Sequence, residues 1–127
     1  MKNINSFEEL NISEGILKSV KNMGFKDPSQ VQKDAIPPAL EGKNIIVKSQ
    51  TGTGKTAAYA IPILEKTELE EKLVQVVVLT PTRELAVQVS KEIDNIGKFK
   101  RIRSIAIYGG QPIDLQTRVL KQRVHII

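Results

Sequence analysis

The segment Ser49-Gln50-Thr51-Gly52-Thr53-Gly54-Lys55-Thr56 constrains this chain more than any other part of it. It follows a short apolar run, Ile45-Ile46-Val47, and precedes a stretch of helical apolar spacing that reaches about Thr67. Strand, glycine-rich turn and helix, in that order, are the context a phosphate-binding loop requires. Gly52 and Gly54 let the backbone turn so that successive N–H groups face phosphate oxygens. The helix N-terminus adds partial positive charge. Lys55 can reach β- and γ-phosphates, and the Thr56 hydroxyl can ligate Mg²⁺. Ser49 departs from the general pattern, which has glycine there. A polar surface turn is the bland alternative, but it gives no reason for Gly-Lys-Thr at a helix start.

The rest of the chain supplies the frame for such a loop. Residues 1–43 read as helical. Ser13 can cap a helix from Glu14, with Ile16, Leu17, Val20 and Met23 on one stripe and Gly24 as its stop. A second helix begins near Ser29, and Pro37-Pro38 is expected to break or kink it. From residue 44 onward, buried strands are expected at Ile45–Val47, Val74–Leu79, Ile105–Tyr108 and Val124–Ile127. Helices are expected between them, at Arg83–Lys98 and Ile113–Gln122. Alternating strands and helices imply βαβ units, hence an α/β fold with a parallel sheet flanked by helices. The chain ends on an apolar strand, so the expectation is an incomplete domain with open strand edges, poorly stable alone and prone to aggregate.

Composition narrows the functional classes. The 127 residues suit one domain, and 40% hydrophobic content is enough for a core. There is no cysteine, which excludes disulfide partners, thiolate metal sites and a Cys nucleophile, and fits a cytoplasmic protein. Met1-Lys2-Asn3-Ile4-Asn5 lacks the apolar core of a signal peptide. No apolar run approaches the roughly 18 to 20 residues that would span a membrane. The net charge of +5 favours polyanionic partners. Lys98-Phe99-Lys100-Arg101-Ile102-Arg103 is the densest basic stretch and reads as a solvated loop between helix and strand. With 4% aromatic residues, a base-stacking platform of several exposed rings is not expected.

Upstream of the phosphate loop stands Gly24-Phe25-Lys26-Asp27-Pro28-Ser29-Gln30-Val31-Gln32. Ser29 and Gln32 fit a Ser-x-x-Gln capping box, which by itself explains Gln32. The same amide can also donate and accept at the N6/N7 edge of adenine. Phe25 offers a flat surface for a base. Both readings of Gln32 stand at this level.

Taken together these segments resemble the DEAD-box helicases. Gly24-Phe25 with Pro28-Ser29 and Gln32 looks like that family's Q motif, and Ser49 to Thr56 resembles its motif I, where Ala or Ser commonly fills the first position. Pro81-Thr82-Arg83-Glu84-Leu85-Ala86 with Gln88 looks like motif Ia, and Gly109-Gly110 like the GG motif. The resemblance covers nearly the whole chain. It implies a partial RecA-like domain at residues 1–127, with a helical Q-motif region at 1–43 and the first βαβ units at 44–127. It implies ATP and Mg²⁺ as cofactors. Phe25 would stack on adenine and Gln32 read its edge. Ser49, Gln50, Thr51, Gly52, Thr53, Gly54, Lys55 and Thr56 would hold the phosphates, with Thr56 on the metal and Lys55 and Thr56 serving catalysis. Pro81, Thr82, Arg83, Gly109 and Gly110 would lie along single-stranded RNA. Phe7 would pack rather than touch ligand. The segment Asn95 to Ile102, with Leu120-Lys121-Gln122 and His125, is similar to the bacterial DbpA-like branch, which acts on ribosomal RNA. His125 itself reads as a surface or strand-end residue.

The family's Thr-Pro-Gly-Arg and Asp-Glu-Ala-Asp motifs, its arginine finger and its second domain do not occur in these residues. The full protein would therefore be an RNA helicase and ATPase, while this chain alone would bind nucleotide and RNA without turnover. Two alternatives use the same loop: a P-loop ATPase or kinase without an RNA role, and a non-catalytic nucleotide- or RNA-binding fragment. Oligomeric state is left open.

Overall fold

The computed structural model describes residues 3–127. After a 3-10 turn at Phe7–Leu10 come α1 (Glu14–Asn22), α2 (Gln30–Leu40), α3 (Lys55–Lys66), α4 (Arg83–Ile96), a second 3-10 turn at Lys98–Lys100, and α5 (Ile113–Leu120). The expected helices are all present, each ending within a few residues of its expected limit.

The α1 stop follows the glycine rule closely. Gly24 takes φ +84°. Its N–H donates to Lys21 O, and Phe25 N–H donates to Val20 O, both at 3.0 Å. That pair is a Schellman motif, which closes the last carbonyls of a helix. The α1 start differs from expectation. Ser13 makes no cap bond within α1; its Oγ donates to Glu65 Oε1 at 2.6 Å and its N–H donates to the same oxygen at 2.9 Å. A carboxylate on α3 outcompetes the local cap because it accepts both donors with full charge.

Pro37 and Pro38 do not break α2, which continues to Leu40. They stand in its last turns, where the helix goes on past them through Glu41 N–H to Pro37 O and Lys43 N–H to Pro38 O. A proline ring forfeits its own donor but leaves its carbonyl available to the residues that follow.

The core joins Phe7, Leu10, Ile16, Val20, Ile36, Ala57, Ala60, Ile61, Leu64, Val89, Ile93, Ile96, Ile102 and Ile126. It lies between the helices and the apolar segments of the second half. Phe7 is buried and lies against Phe25, with ring centroids 6.3 Å apart, in accord with a packing role.

The strand regions depart most from expectation. Among the described residues, pairing is limited to isolated parallel bridges, Val76 with Ile126 and Ser104 with Ile126. Residues 124–127 lie between the other two segments. Val78 N–H donates to Ile127 O at 2.7 Å, and Ile105 N–H donates to Ile126 O at 3.0 Å. Ile45, Ile46 and Val47 are exposed, with Ile46 at 102%, so the expected burial of that strand does not hold. In Val74–Leu79, only Val76 and Val78 pack on the core, while Val77 and Leu79 face outward. Period-two geometry buries one face of a strand, and the second face needs a further layer that the described residues do not provide.

His125 is 2% exposed, not a surface residue. Its Nδ1 accepts from Arg103 N–H, so its Nε2 carries the proton and donates to Leu69 O, both at 3.1 Å. A polar ring is tolerated in this interior because both nitrogens are used by backbone.

Candidate functional site

The phosphate loop sits at the start of α3. Gly54, with φ +85°, is the residue before the first helical turn, and Gly52 has φ +77°. Both conformations favour glycine. At Gly54 the space is closed as well: a Cβ would stand 2.4 Å from Gln32 Nε2. The loop is braced by its own hydroxyls. Thr53 Oγ1 donates to Gln50 O at 2.7 Å, so Ser49 Oγ must donate to Thr53 Oγ1, 2.5 Å away. Serine at the first loop position thus has a mechanical use that glycine could not fill. Lys55 Nζ donates to Ser49 O at 2.6 Å, inside its own loop. The Thr56 side chain is half-buried next to it.

Gln32 ties the upstream segment to this loop. It is 4% exposed. Its Oε1 accepts from Ser29 N–H at 2.9 Å, and its Nε2 donates to Gly54 O at 3.2 Å. Ser29 and Gln32 form a capping box. The hydrogen-bonded half of the box is the one made by Gln32; among the described residues, Ser29 Oγ is buried and makes no hydrogen bond. The cap is therefore real, and the same amide reaches the loop 22 residues downstream. Phe25 is half-buried against the core on the other side of the Gly24 turn.

Tyr59 was not legible as a site residue, yet it stands one turn beyond Thr56 on α3. Burial pushes its phenol up from the ordinary range, hydrogen bonding with Thr56 opposes this, and the Glu92 charge adds to it. Burial likewise pushes the Glu92 carboxyl up. Among the described residues no group of three or more His, Cys, Asp or Glu could form a metal cage. The Thr56 hydroxyl is the kind of oxygen donor that Mg²⁺ takes together with phosphates and water.

The second candidate set gathers at the start of α4. Thr82 Oγ1 accepts from Leu85 N–H at 3.2 Å and so caps α4. Thr80 Oγ1 donates to Thr82 O at 3.2 Å. Pro81, Thr82, Arg83, Gly109 and Gly110 are all exposed. Gly110 has φ +92°, and a Cβ there would stand 3.1 Å from Arg83 Nη1. The Arg83 guanidinium therefore lies over Gly110, bringing together two segments that are distant in sequence. The arrangement offers a helix N-terminus, a guanidinium and a bare backbone turn on one exposed edge, which is suited to phosphate.

The profile of the DEAD/DEAH box helicase family matches residues 29–127. The chain is 51% identical over 122 residues to the DEAD-box ATP-dependent RNA helicase CshA of Bacillus cereus, covering 96% of this chain and 23% of that protein. To the ATP-dependent RNA helicase DbpA of Bacillus subtilis it is 48% identical over 121 residues, covering 95% of this chain and 25% of that protein. CshA of Geobacillus kaustophilus is also 48% identical, so identity does not single out the DbpA-like branch. Among solved structures, a DEAD box protein from the hyperthermophile Methanococcus jannaschii superposes with a TM-score of 0.91 at 40% identity, over 96% of this chain and 33% of that one. S. cerevisiae Dbp5 bound to RNA and ADP BeF3 does so with a TM-score of 0.77 at 34% identity, over 92% of this chain and 35% of that one. The chain thus spans about a quarter of its curated relatives, and its fold is the RecA-like fold of these neighbours. Matched by the family profile over most of its length, the chain belongs to the DEAD/DEAH box helicase family.

Proposed function

We propose that the chain supplies the adenine- and phosphate-binding surface and part of the RNA-contacting surface of an ATP-dependent RNA helicase. The observation that carries this reading is Gln32, whose buried amide holds the α2 start and the Gly54 carbonyl together. A free-standing P-loop enzyme has no need for that link. Residues 1–43 form the Q-motif region, and 44–127 the first βαβ units. In the intact domain Ile45–Val47, Val74–Leu79, Ile105–Tyr108 and Val124–Ile127 belong to one parallel sheet, which explains why exposed apolar residues recur on these segments.

ATP supplies the phosphoanhydride bond, and Mg²⁺ neutralises its phosphate charge. Lys55 leaves the Ser49 carbonyl for the β- and γ-phosphates, exchanging a neutral acceptor for a charged one. The Thr56 hydroxyl would hold Mg²⁺. The backbone N–H groups from Gly52 to Thr56 surround the phosphates, braced by Ser49 and Thr53. Gln32 retains one free N–H and one free lone pair after its two internal bonds, enough to read the adenine edge. Phe25 stacks on the base. Thr82, Arg83, Gly109 and Gly110 grip sugar and phosphate, so recognition carries little sequence preference. The acidic pair and arginine finger that complete hydrolysis in this family are not among these residues, so turnover belongs to the full-length protein. Its setting is the cytoplasm, and RNA, ribosomal RNA included, is its substrate.

The test is RNA stimulation of ATPase activity in the full-length protein. We expect stimulation by single-stranded RNA, its loss in Arg83→Ala, and a preference for ATP over GTP. RNA-independent turnover would instead favour a P-loop ATPase without an RNA role.

A further inference from the structure

The basic stretch after α4 folds into something more specific than a solvated loop. Phe99 is 39% exposed at the Lys98–Lys100 turn. Lys18, from α1, places Nζ 4.4 Å from the Phe99 ring centroid, and Lys98 places its own at 5.8 Å. Only the tertiary fold brings Lys18 there. Arg101 follows at φ +59°, a left-handed conformation uncommon for a residue with a side chain.

The cations around this ring differ in how they are used. Lys100 is consumed internally, donating to Leu64 O at 2.9 Å and lying 4.0 Å from Glu65. Among the described residues, Lys18, Lys98, Arg101 and Arg103 form no ion pair. The nearby carboxylate of Asp94 is already bonded to Ser104 N–H and Oγ. The patch therefore keeps free positive charge around a partly exposed aromatic face. It also lies at the far end of α4 from Thr82 and Arg83, about 21 Å away at 1.5 Å per residue over the 14-residue helix.

We propose that Phe99 with Lys18, Lys98 and Arg101 forms a second RNA contact, separate from the tract at Arg83 and Gly110. Both ammonium groups stand over the Phe99 ring; phosphates that draw them off would uncover its face for the base between them. An acidic peptide would use the cations and leave the ring idle, so single-stranded RNA fits better. The proposal rests on the RNA-helicase reading above. The patch takes RNA that extends beyond what the first tract holds, so it acts only on longer strands.

The test compares full-length wild type with Lys98→Gln/Arg101→Gln and, separately, Phe99→Ala, using an 8-nucleotide and a 30-nucleotide single-stranded RNA. Thermal unfolding verifies that each variant folds. For the charge variant, the slope of log affinity against log salt should fall by about 1.4 on the long RNA, about 0.7 per lost phosphate contact, with at least about tenfold weaker binding. Phe99→Ala should weaken long-RNA binding without changing the slope. Affinity for the short RNA, and its stimulation of ATPase, should match wild type in both. An unchanged slope on long RNA overturns the second contact, as does equal weakening of short and long strands. Competition by polyglutamate as strong as by RNA would reassign the patch to an acidic protein. Failure of short RNA to stimulate wild type would instead sink the helicase reading itself.

Discussion

The nucleotide loop and the Arg83–Gly110 edge are built in opposite ways. The loop rests on partly buried bonds: Gln32 reaches Gly54 from α2, and Ser49, Thr53 and Lys55 hold the turn from within. The other edge is exposed throughout and is held by two local hydrogen bonds at Thr82 and one close approach to a bare glycine. A site for a compact polyphosphate can be shaped in advance by the residues that line it. A surface for an extended strand needs only regularly placed donors, and it leaves them open to solvent. The difference teaches that mutations in the two regions should fail differently: in the loop through lost geometry, at the edge through lost contact.

Lys55→Ala should give the largest effect. We expect ATPase activity of the full-length protein to fall by at least about 100-fold, the scale of losing a charge stabiliser at a reacting phosphate. RNA binding without nucleotide should stay as in wild type, and its loss would break the separation of the two regions. Gly54→Ala should come next. Its left-handed backbone alone costs about 1 to 3 kcal/mol for a residue with a side chain, and the added methyl collides with Gln32. Calorimetric titration should show weakened ATP binding with RNA affinity unchanged.

Gln32→Ala and Thr82→Ala form the sharpest pair, since both residues serve helix starts. Thr82→Ala should cost about 1 kcal/mol of stability, an ordinary exposed cap. Gln32→Ala should cost about 2 kcal/mol, because it strands the partly buried Ser29 N–H and Gly54 O. It should also erase the preference for ATP over GTP. Equal losses in thermal unfolding, with nucleotide preference intact, would reduce Gln32 to a cap.

The smallest effect concerns Glu8. The hydrogen bond from Lys21 comes first among the causes that hold its carboxyl at about 2, below its ordinary 4.5, with its own backbone and Ser6 assisting. A depressed carboxylate stabilises the fold above its unfolded value, and that contribution is lost as pH falls through about 2. The group is fully exposed, so salt should screen the pair. The thermal midpoints of wild type and Glu8→Gln should differ slightly above pH 4.5 and converge as pH falls through about 2.

The sequence by itself determined the parts whose chemistry is local. The helix stop at Gly24 and the helix start at Ser29 were readable because caps and left-handed turns depend on a few neighbouring residues. The glycine turns at Gly52 and Gly54 were readable for the same reason. Tertiary structure alone decided which readings of ambiguous residues hold. Ser13 turned from a cap into a partner of Glu65, and His125 from the surface into the interior, because partners distant in sequence met their donors. Exposure of Ile46 followed from which layers exist to cover it, and no apolar pattern carries that information. Ser49 was legible as a departure from the general pattern, but the bond it makes to Thr53 was visible only in the structure. Local backbone chemistry is written in sequence at short range, whereas burial and cross-chain bonding are properties of what the rest of the fold brings near.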